Sequence, residues 1–220
     1  MTTNEAYQKY IIELQANGTT DNIQSTRSRF VVNYNKAQNK VIEWLIERKN
    51  EDDNRYLQSI KKIDSKLEKN QTSEDKDTFL LKSDYFDFIN LNAFATSGKC
   101  RNQRFFLKEV KSENLNNLLD DYNTKPSFKY RESFFIISDN LITLFKEDFT
   151  FDTAYLSYYR YPKQIKLENL ENPDSELVDE ILEFDDKLID RIITLAASEH
   201  SLNANDPKYA ALKQQVLQKI

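Results

Sequence analysis

Apolar side chains in the first part of the chain recur every three or four residues, which is the spacing of an amphipathic helix. Tyr7, Ile11 and Leu14 predict a first helix, with Thr3 as its N-terminal cap and Gly18 at its C-terminal end. The chain is therefore expected to begin with a short helix that buries one stripe of side chains.

A second and longer apolar series has the alternating three-and-four spacing of a helix packing seam. Asp21 or Asn22 is expected to cap this helix, which should run to Lys49. Its seam positions are Ile23, Phe30, Tyr34, Ala37, Val41 and Trp44. The same spacing predicts a third helical segment, with Tyr56, Ile60, Ile63 and Leu67 on one face. Residues 1–68 are therefore predicted to form a helical array, most simply an antiparallel hairpin.

The pattern then changes to short runs of aromatic and β-branched residues, which are typical of strands. Before the change, the charged residues 69–77 are predicted to form a linker or an exposed loop. The predicted strands cover residues 79–81, 86–91, 104–110, 133–137, 141–145 and 154–161. Asp139 and Asn140 suit a hairpin turn, and residues 113–121 fit a short helix. Residues 78–162 are thus expected to form the β part of the protein.

After Pro162, the apolar spacing is helical again. A long amphipathic helix is predicted to start at Asp174 or Ser175, and Asp206 with Pro207 is expected to open a closing helix. One stripe of the long helix contains Leu177, Ile181, Phe184, Leu188, Ile192 and Leu195, and a second contains Val178, Leu182, Ile189 and Ile193. The predicted fold is α+β: an N-terminal helical array, a central antiparallel β meander or sandwich, and the C-terminal helices of residues 174–220, all in one structural domain of 220 residues.

Composition narrows the possible functions. The chain has two glycines, Gly18 and Gly98, which argues against glycine-rich phosphate loops and dinucleotide fingerprints. A net charge of −5 disfavours a general DNA or RNA binder, because such binding needs a positive surface. The N-terminus lacks the pattern of a signal peptide and no apolar run has the length of a membrane span, so the protein is expected to be cytosolic when made.

Candidate catalytic residues do not group by spacing. His200, the single histidine, is predicted to be a helix-end or surface residue, and the single cysteine, Cys100, can form no disulfide within the chain. The carboxylates Glu180, Glu183, Asp185, Asp186 and Asp190 are predicted to lie on the solvated flank of the long helix. We therefore expect no catalytic site, no metal site and no cofactor. The alternative is a cytosolic enzyme or nucleic-acid-processing accessory protein that uses these acids.

Two short segments interleave basic and aromatic residues. They are Arg101, Arg104, Phe105, Phe106 and Lys108, and then Lys129, Tyr130 and Arg131. Such interleaving can bind single-stranded nucleic acid through stacking and phosphate contacts. The favoured interpretation is a strand with one aromatic face and one charged face, given the acidic total charge.

The segment Leu156-Ser157-Tyr158-Tyr159-Arg160-Tyr161-Pro162 resembles a motif of the head-to-tail adaptor, or ring, proteins of short-tailed bacteriophages, most closely those of crAss-like phages. Three further features fit that family: an acidic-aromatic strand start at residues 84–86, a strand feeding a short helix at 106–119, and the approach 126–130 to a hairpin turn at 139–140. The resemblance covers residues 84–200.

This resemblance implies a virion structural protein without enzymatic activity, made in the host cytoplasm and located at the head-tail junction. Its copies would form a homo-oligomeric ring, commonly a dodecamer, beneath the portal protein and next to other tail proteins. Double-stranded DNA would pass through the channel without sequence-specific binding, and no membrane would be involved.

Tyr158, Tyr159 and Arg160 are candidate interface anchors, because tyrosine and arginine are enriched in protein interfaces. Phe30 and Trp44 are expected to be buried in the helical array or between subunits. The alternative for the tyrosines is packing against the adjoining helix. A third functional possibility is a phage protein that binds a host target.

Overall fold

The structure, a computed structural model, describes residues 1–16, 25–48, 53–121, 124–169, 171–172 and 175–202. It confirms the α+β class. The chain divides into two compact units: a helical unit, Met1–Ser59 with Pro162–Ile220, and a barrel unit, Ile60–Tyr161. That both belong to one structural domain stays a prediction.

Helices α1 (Thr3–Ala16) and α2 (Arg27–Arg48) of the helical unit each pack against α4 (Asp186–Leu202). A 3₁₀ helix, Asp53–Ile60, follows α2. The core of this unit is formed mainly by apolar side chains of the three α-helices: Ala6, Tyr10, Leu14, Phe30, Tyr34, Ala37, Val41, Ile42, Leu45, Leu188, Ile189, Ile192, Ile193 and Ala196. None of the helices in the described part of the chain is long and apolar enough to cross a membrane.

The cap of α1 is Thr2, so the prediction of Thr3 is wrong. Glu5 N donates to Thr2 Oγ1 at 3.3 Å, and Thr2 N donates to Glu5 Oε2 at 2.8 Å, which is a reciprocal capping box. Thr3 instead donates its hydroxyl to the carbonyl of Glu180. The predicted end of this helix at Gly18 lies outside the described residues.

Thr26 caps α2, because its Oγ1 accepts a hydrogen bond from Arg29 N at 3.3 Å. The predicted cap residues Asp21 and Asn22, the seam residue Ile23 and the predicted last residue Lys49 lie outside the described residues. The seam prediction is confirmed for Phe30, Tyr34, Ala37 and Val41, which are all buried. After Val41 the buried residues are Ile42 and Leu45, whereas the predicted seam residue Trp44 is half-buried, because a helix of 3.6 residues per turn drifts away from a strict seven-residue repeat.

The long C-terminal helix starts later than predicted. Residues 175–185 are not helical, and α4 begins at Asp186, where Leu188 N donates to Asp185 Oδ1 at 2.8 Å. Leu177 forms an isolated bridge with Leu167, and Ile181 forms one with Thr2. These pairings hold the segment extended, so its helix-like spacing is a coincidence. The predicted closing helix lies outside the described residues.

The described residues of the barrel unit form eight strands and one α-helix. They are β1 (Lys61–Lys66), β2 (Glu68–Thr72), β3 (Lys76–Leu80), β4 (Tyr85–Ser97), β5 (Cys100–Glu109), α3 (Ser112–Asp120), β6 (Glu132–Ser138), β7 (Leu141–Phe145) and β8 (Thr150–Arg160). All six predicted strands and the predicted short helix are confirmed. The predicted third helix is wrong beyond Ile60, since Ile63 lies in β1 and Leu67 joins β1 to β2. The predicted loop at 69–77 is also wrong, because it lies largely in the β2–β3 hairpin.

The strands form one sheet in the order β1-β8-β4-β5-β6-β7-β3-β2. Since β1 and β2 follow each other with only Leu67 between them, the two ends of this order are one bent strand. Its first half pairs with β8 and its second half with β3. At the bend, the amide of buried Leu67 donates to the carbonyl of Ala154. The sheet therefore closes on itself as a barrel.

Neighbouring strands pair antiparallel, except for β5 and β6, which are parallel and are joined through α3. The sheet is thus mixed rather than a purely antiparallel meander. Asp139 and Asn140, with φ of 49° and 61°, form the β6–β7 turn as predicted. Inside the barrel, Phe105 packs against Phe149 and Phe151, with ring centroids 4.8 and 5.2 Å apart.

Asp77 closes the gap between β3 and β8, where the described strands form no ladder. Its Oδ1 lies 3.3 Å from Lys146 Nζ and 3.1 Å from Lys69 Nζ. Its Oδ2 accepts the amide of Phe151 at 2.8 Å, and Lys69 Nζ donates to the carbonyl of Phe151 at 2.7 Å. The side chains of Asp77 and Lys69 thus satisfy the backbone groups that a neighbouring strand would otherwise pair.

Candidate functional site

The segment with the phage adaptor resemblance forms the last part of β8 and the residues after it. Side chains alternate along this strand, so that Leu156 and Tyr158 enter the barrel core. Tyr159 and Arg160 are half-buried, and Tyr161 is 51% exposed. The segment therefore fixes one end in the core and presents an aromatic ring to solvent at the other.

This end of β8 joins the start of β4, which contains the acidic-aromatic residues predicted to open a strand. Tyr158 donates its hydroxyl to Asp84 Oδ1 at 2.7 Å, and the amide of Tyr161 donates to the carbonyl of Asp84 at 2.8 Å. The ring of Tyr85 lies 5.9 Å from that of Tyr158. Two segments that are far apart in sequence thus form one cluster, which we call the aromatic junction: Asp84, Tyr85, Phe86, Tyr158 and Tyr161.

A β-bulge gives the aromatic junction its exposed edge. Tyr85 is opposite Arg160 and Asp87 is opposite Tyr159, so Phe86 is an extra residue on β4. Its ring meets that of Tyr161 edge to face, with centroids 4.8 Å apart. Two neighbouring aromatic rings are therefore held in a fixed geometry at the surface.

Tyr85 and Tyr158 of the junction, and Tyr159 beside them, remain protonated at physiological pH. Burial, followed by the hydrogen bond to Asp84, raises the pKa of Tyr158 to about 12. Burial and the nearby Asp87 and Glu109 raise the pKa of Tyr85 to about 12. Burial and Asp87 also raise the pKa of Tyr159. The junction therefore offers hydrogen-bond donors and apolar ring surface rather than a group that exchanges protons near neutral pH.

The structure does not bring the other two candidate interface residues, Phe30 and Trp44, into this cluster. Phe30 is fully buried among Tyr7, Tyr10 and Tyr34 in the core of the helical unit, so it has no surface to offer a partner. Trp44 is half-buried, and the guanidinium of Arg48 lies 4.2 Å from its ring centroid. The alternative interpretation of the two tyrosines is that they pack against a helix. It is wrong for Tyr158, whose side chain packs in the barrel core.

His200 lies in the last described turns of α4, and the expectation of a surface or helix-end position is only partly met because its side chain is buried. Its Nδ1 is 2.7 Å from the hydroxyl of Tyr10, and Asn33 Nδ2 donates to that hydroxyl at 3.1 Å. Burial, with the nearby positive charge of Arg29, lowers the pKa of His200. Tyr10 therefore donates to Nδ1 of a neutral ring. Cys100 is exposed at the start of β5.

The carboxylates that the sequence placed on one helix are divided by the structure. Glu180, Glu183 and Asp185 precede α4, whereas Asp186 and Asp190 lie on it. Asp190 pairs with Lys9 Nζ at 2.6 Å, and Asp186 pairs with the amino group of Met1 at 3.0 Å. Within the described ranges, no three His, Cys, Asp or Glu side chains are grouped as metal ligands would be.

The two basic-aromatic segments come together on the barrel. The amide of Phe106 on β5 donates to the carbonyl of Arg131 at 2.7 Å, directly beside Lys129 and Tyr130. Phe105 is buried, whereas Phe106 is 74% and Tyr130 is 67% exposed. The predicted separation into one aromatic and one charged face is therefore only partly correct, because Phe106 shares the outer face with charged residues. The sequence interleaving pointed to both segments but not to their contact.

Comparison with protein families found no family model that matches this chain, and comparison with curated proteins found no significant match.

Proposed function

We propose that this protein is a virion structural protein, a head-to-tail adaptor subunit that forms a homo-oligomeric ring beneath a portal protein and contributes to the DNA exit channel. The aromatic junction is the contact surface through which the subunit docks. The observation that carries the proposal is that residues 156–162, which resemble the adaptor motif, and residues 84–86, which fit the same family, join in one preformed cluster with Phe86 and Tyr161 at its surface.

Physical chemistry supports an interface role for this cluster. Aromatic side chains dominate the binding energy of protein interfaces, particularly where they are rigid before binding. Tyr161 is held by its own amide, by the ring of Phe86 and by Arg160 Nη1, which donates to its carbonyl at 2.9 Å. Docking a ring that is already ordered costs little conformational entropy.

Tyr161→Ala tests the proposal, with Tyr130→Ala as the matched control. Both tyrosines belong to the barrel unit and are more than half exposed, so neither change should unfold it. We expect Tyr161→Ala to weaken binding to the cognate portal roughly 30-fold, the effect of losing one interface hot spot, while Tyr130→Ala binds normally. Sedimentation velocity of subunit and portal mixtures measures the affinity, and negative-stain electron microscopy shows whether a ring forms.

A subunit that never forms a ring on the portal overturns the adaptor proposal. Normal ring formation by Tyr161→Ala overturns the assignment of the aromatic junction as the docking surface. Equal losses in Tyr161→Ala and Tyr130→Ala would place the contact over a different surface and also overturn that assignment.

A further inference from the structure

Independently of the adaptor role, we propose that the outer face of the barrel binds single-stranded nucleic acid. The binding surface, which we call the platform, consists of Phe94, Arg104 and Tyr155 on the sheet together with Phe106, Tyr130 and Arg131 beside it. It combines aromatic rings with cations at the spacing of neighbouring strands, as nonspecific single-strand binding surfaces do.

The first half of the platform crosses three neighbouring strands. Phe94 on β4 is the cross-strand partner of Arg104 on β5, and its ring meets that of Tyr155 on β8 edge to face at 5.9 Å. The three side chains, with Asp64 and Asn92, line an open concavity of about 360 Å³. Because neighbouring residues on a strand face opposite ways and Ala93 and Phe105 enter the core, Phe94 and Arg104 face outward.

The second half continues along β5. Phe106 is two residues after Arg104 and therefore lies on the same face, about 7 Å further along the strand. A tight loop ends beside it: Ser127 and Glu132 form a bridge, and Arg131 has a φ of 58°. This loop presents the exposed side chains of Tyr130 and Arg131, and Lys129 Nζ lies 5.4 Å from the Tyr130 ring centroid.

The exposure of these rings calls for a partner with flat apolar surfaces and negative charge. Phe106 is the most exposed of the large aromatic side chains in the described part of the chain. A solvent-exposed phenylalanine beside arginines matches a nucleobase next to its phosphate, since bases stack on rings and guanidinium groups bind phosphate. Arg104 donates one N–H to Asn92 Oδ1 at 2.6 Å, which orients its guanidinium on this face.

The acidic net charge of the chain limits the affinity rather than the mode of binding. Two carboxylates lie among the platform residues: Asp64, which lines the concavity and accepts a hydrogen bond from Asn92 at 3.2 Å, and Glu132, the cross-strand partner of Phe106. They repel phosphate, so binding depends on the stacking rings and is weaker than for a basic protein. A double helix, whose bases are already stacked, offers no base faces to these rings.

Fluorescence anisotropy with labelled oligothymidine of about ten nucleotides tests the platform, because single-strand sites of this type cover roughly 4–16 nucleotides. We expect saturable binding that Phe106→Ala and Tyr130→Ala each weaken roughly 5- to 100-fold. Tyr161→Ala, a change at an exposed aromatic position outside the platform, should bind normally. For portal binding the expectations are reversed: Tyr161→Ala should weaken it and Tyr130→Ala should not. Failure of one proposal is therefore distinguishable from failure of the other.

Charge variants separate phosphate contacts from stacking. Arg104→Gln with Arg131→Gln should lower the slope of log affinity against log salt by about 1.4, because each phosphate contact on a single strand contributes about 0.7. Lys163→Gln with Lys166→Gln removes the same charge from exposed positions in the helical unit and should leave the slope unchanged. Glu132→Gln should tighten binding about 1.5- to 5-fold by removing the repulsion beside Phe106.

Three comparisons decide the identity of the ligand. Equal binding of oligouridine and oligothymidine supports a platform that accepts both RNA and DNA. Tighter binding of one of the two supports the platform and identifies that nucleic acid as its ligand. Duplex DNA that binds as well as the single strand overturns the proposal, as does polyglutamate that competes at equal charge. Absence of saturable binding, or normal binding by both aromatic variants, also overturns it.

Discussion

The two units bury polar side chains in different ways. In the barrel unit, the fully buried Asp77 is paired with two lysines and with the backbone of Phe151. In the helical unit, Tyr10, Asn33 and the neutral His200 hydrogen-bond to one another. The helices satisfy their own backbone groups, whereas the first residues of β8 pair with β4 on one side only, and the side chains of Asp77 and Lys69 bind the backbone of Phe151 in place of a strand on the other side. The gap beside Phe151 is therefore filled by charged side chains, whereas the buried polar groups of the helical unit form a neutral hydrogen-bond network.

The largest expected effect comes from breaking the ion pair of the barrel. Asp77→Ala should lower the free energy of unfolding by about 3–5 kcal/mol, because it leaves the buried ammonium group of Lys146 without a counterion and the amide of Phe151 without an acceptor. Urea unfolding followed by circular dichroism measures the loss. Hydrogen exchange should locate it in β3 and β8.

Glu74→Ala is the control for this change, since Glu74 is exposed in the same β2–β3 hairpin and should change stability by less than about 0.5 kcal/mol. If Asp77→Ala were as mild as this control, the closure of the barrel would not depend on the carboxylate.

The same contrast explains how far the sequence predicts the fold. The strands of the barrel such as β7 and β8 were predictable because each is a short run of apolar, aromatic and β-branched residues, many of which are buried. The bent strand formed by β1 and β2 has no such run, since most of its side chains are exposed. Its two large apolar residues, Ile63 and Leu67, are four residues apart and therefore mimic a helix.

Charge misled the prediction for residues 69–77 in a comparable way. A buried aspartate cannot be distinguished from a solvated one in a polar run, because the lysines that pair with it come from β2 and from the residue after β7. The aromatic junction was partly predictable: residues 84–86 and 156–162 were both singled out, but the bulge at Phe86 that joins them depends on strand register. Register is a tertiary property that no local pattern contains.

A smaller effect is the difference in cost between a core position and a half-buried position within α2. Phe30→Ala should cost about 3–5 kcal/mol, as expected for a fully buried aromatic residue. Trp44→Ala should cost only about 1–2 kcal/mol, because the indole is half-buried and contacts Arg48 at the helix surface. Urea unfolding followed by circular dichroism compares the two variants. Equal costs would mean that Trp44 is a core residue and that the seam follows the seven-residue repeat after all.

The smallest expected effect is a pH dependence confined to the helical unit. The folded-state pKa of His200 is lowered by burial and then by Arg29, so the unfolded chain binds a proton at a pH where the folded chain does not. Stability from this group is fully present above the unfolded pKa of about 6.5 and is lost as the pH falls below it. The slope is at most about 1.4 kcal/mol per pH unit, because a single proton is involved.

The groups around the ring are Tyr10 and Arg29, with Asn33 bonded to the same hydroxyl, and Glu199 next to His200 is itself paired with Lys36 and Lys40. Trp44, the only tryptophan, lies in the helical unit, so its fluorescence follows unfolding there between pH 5 and 7.5. Since the chain contains no other histidine, His200→Gln should remove the pH dependence in this range. A slope that persists in His200→Gln would show that the buried imidazole is not its source.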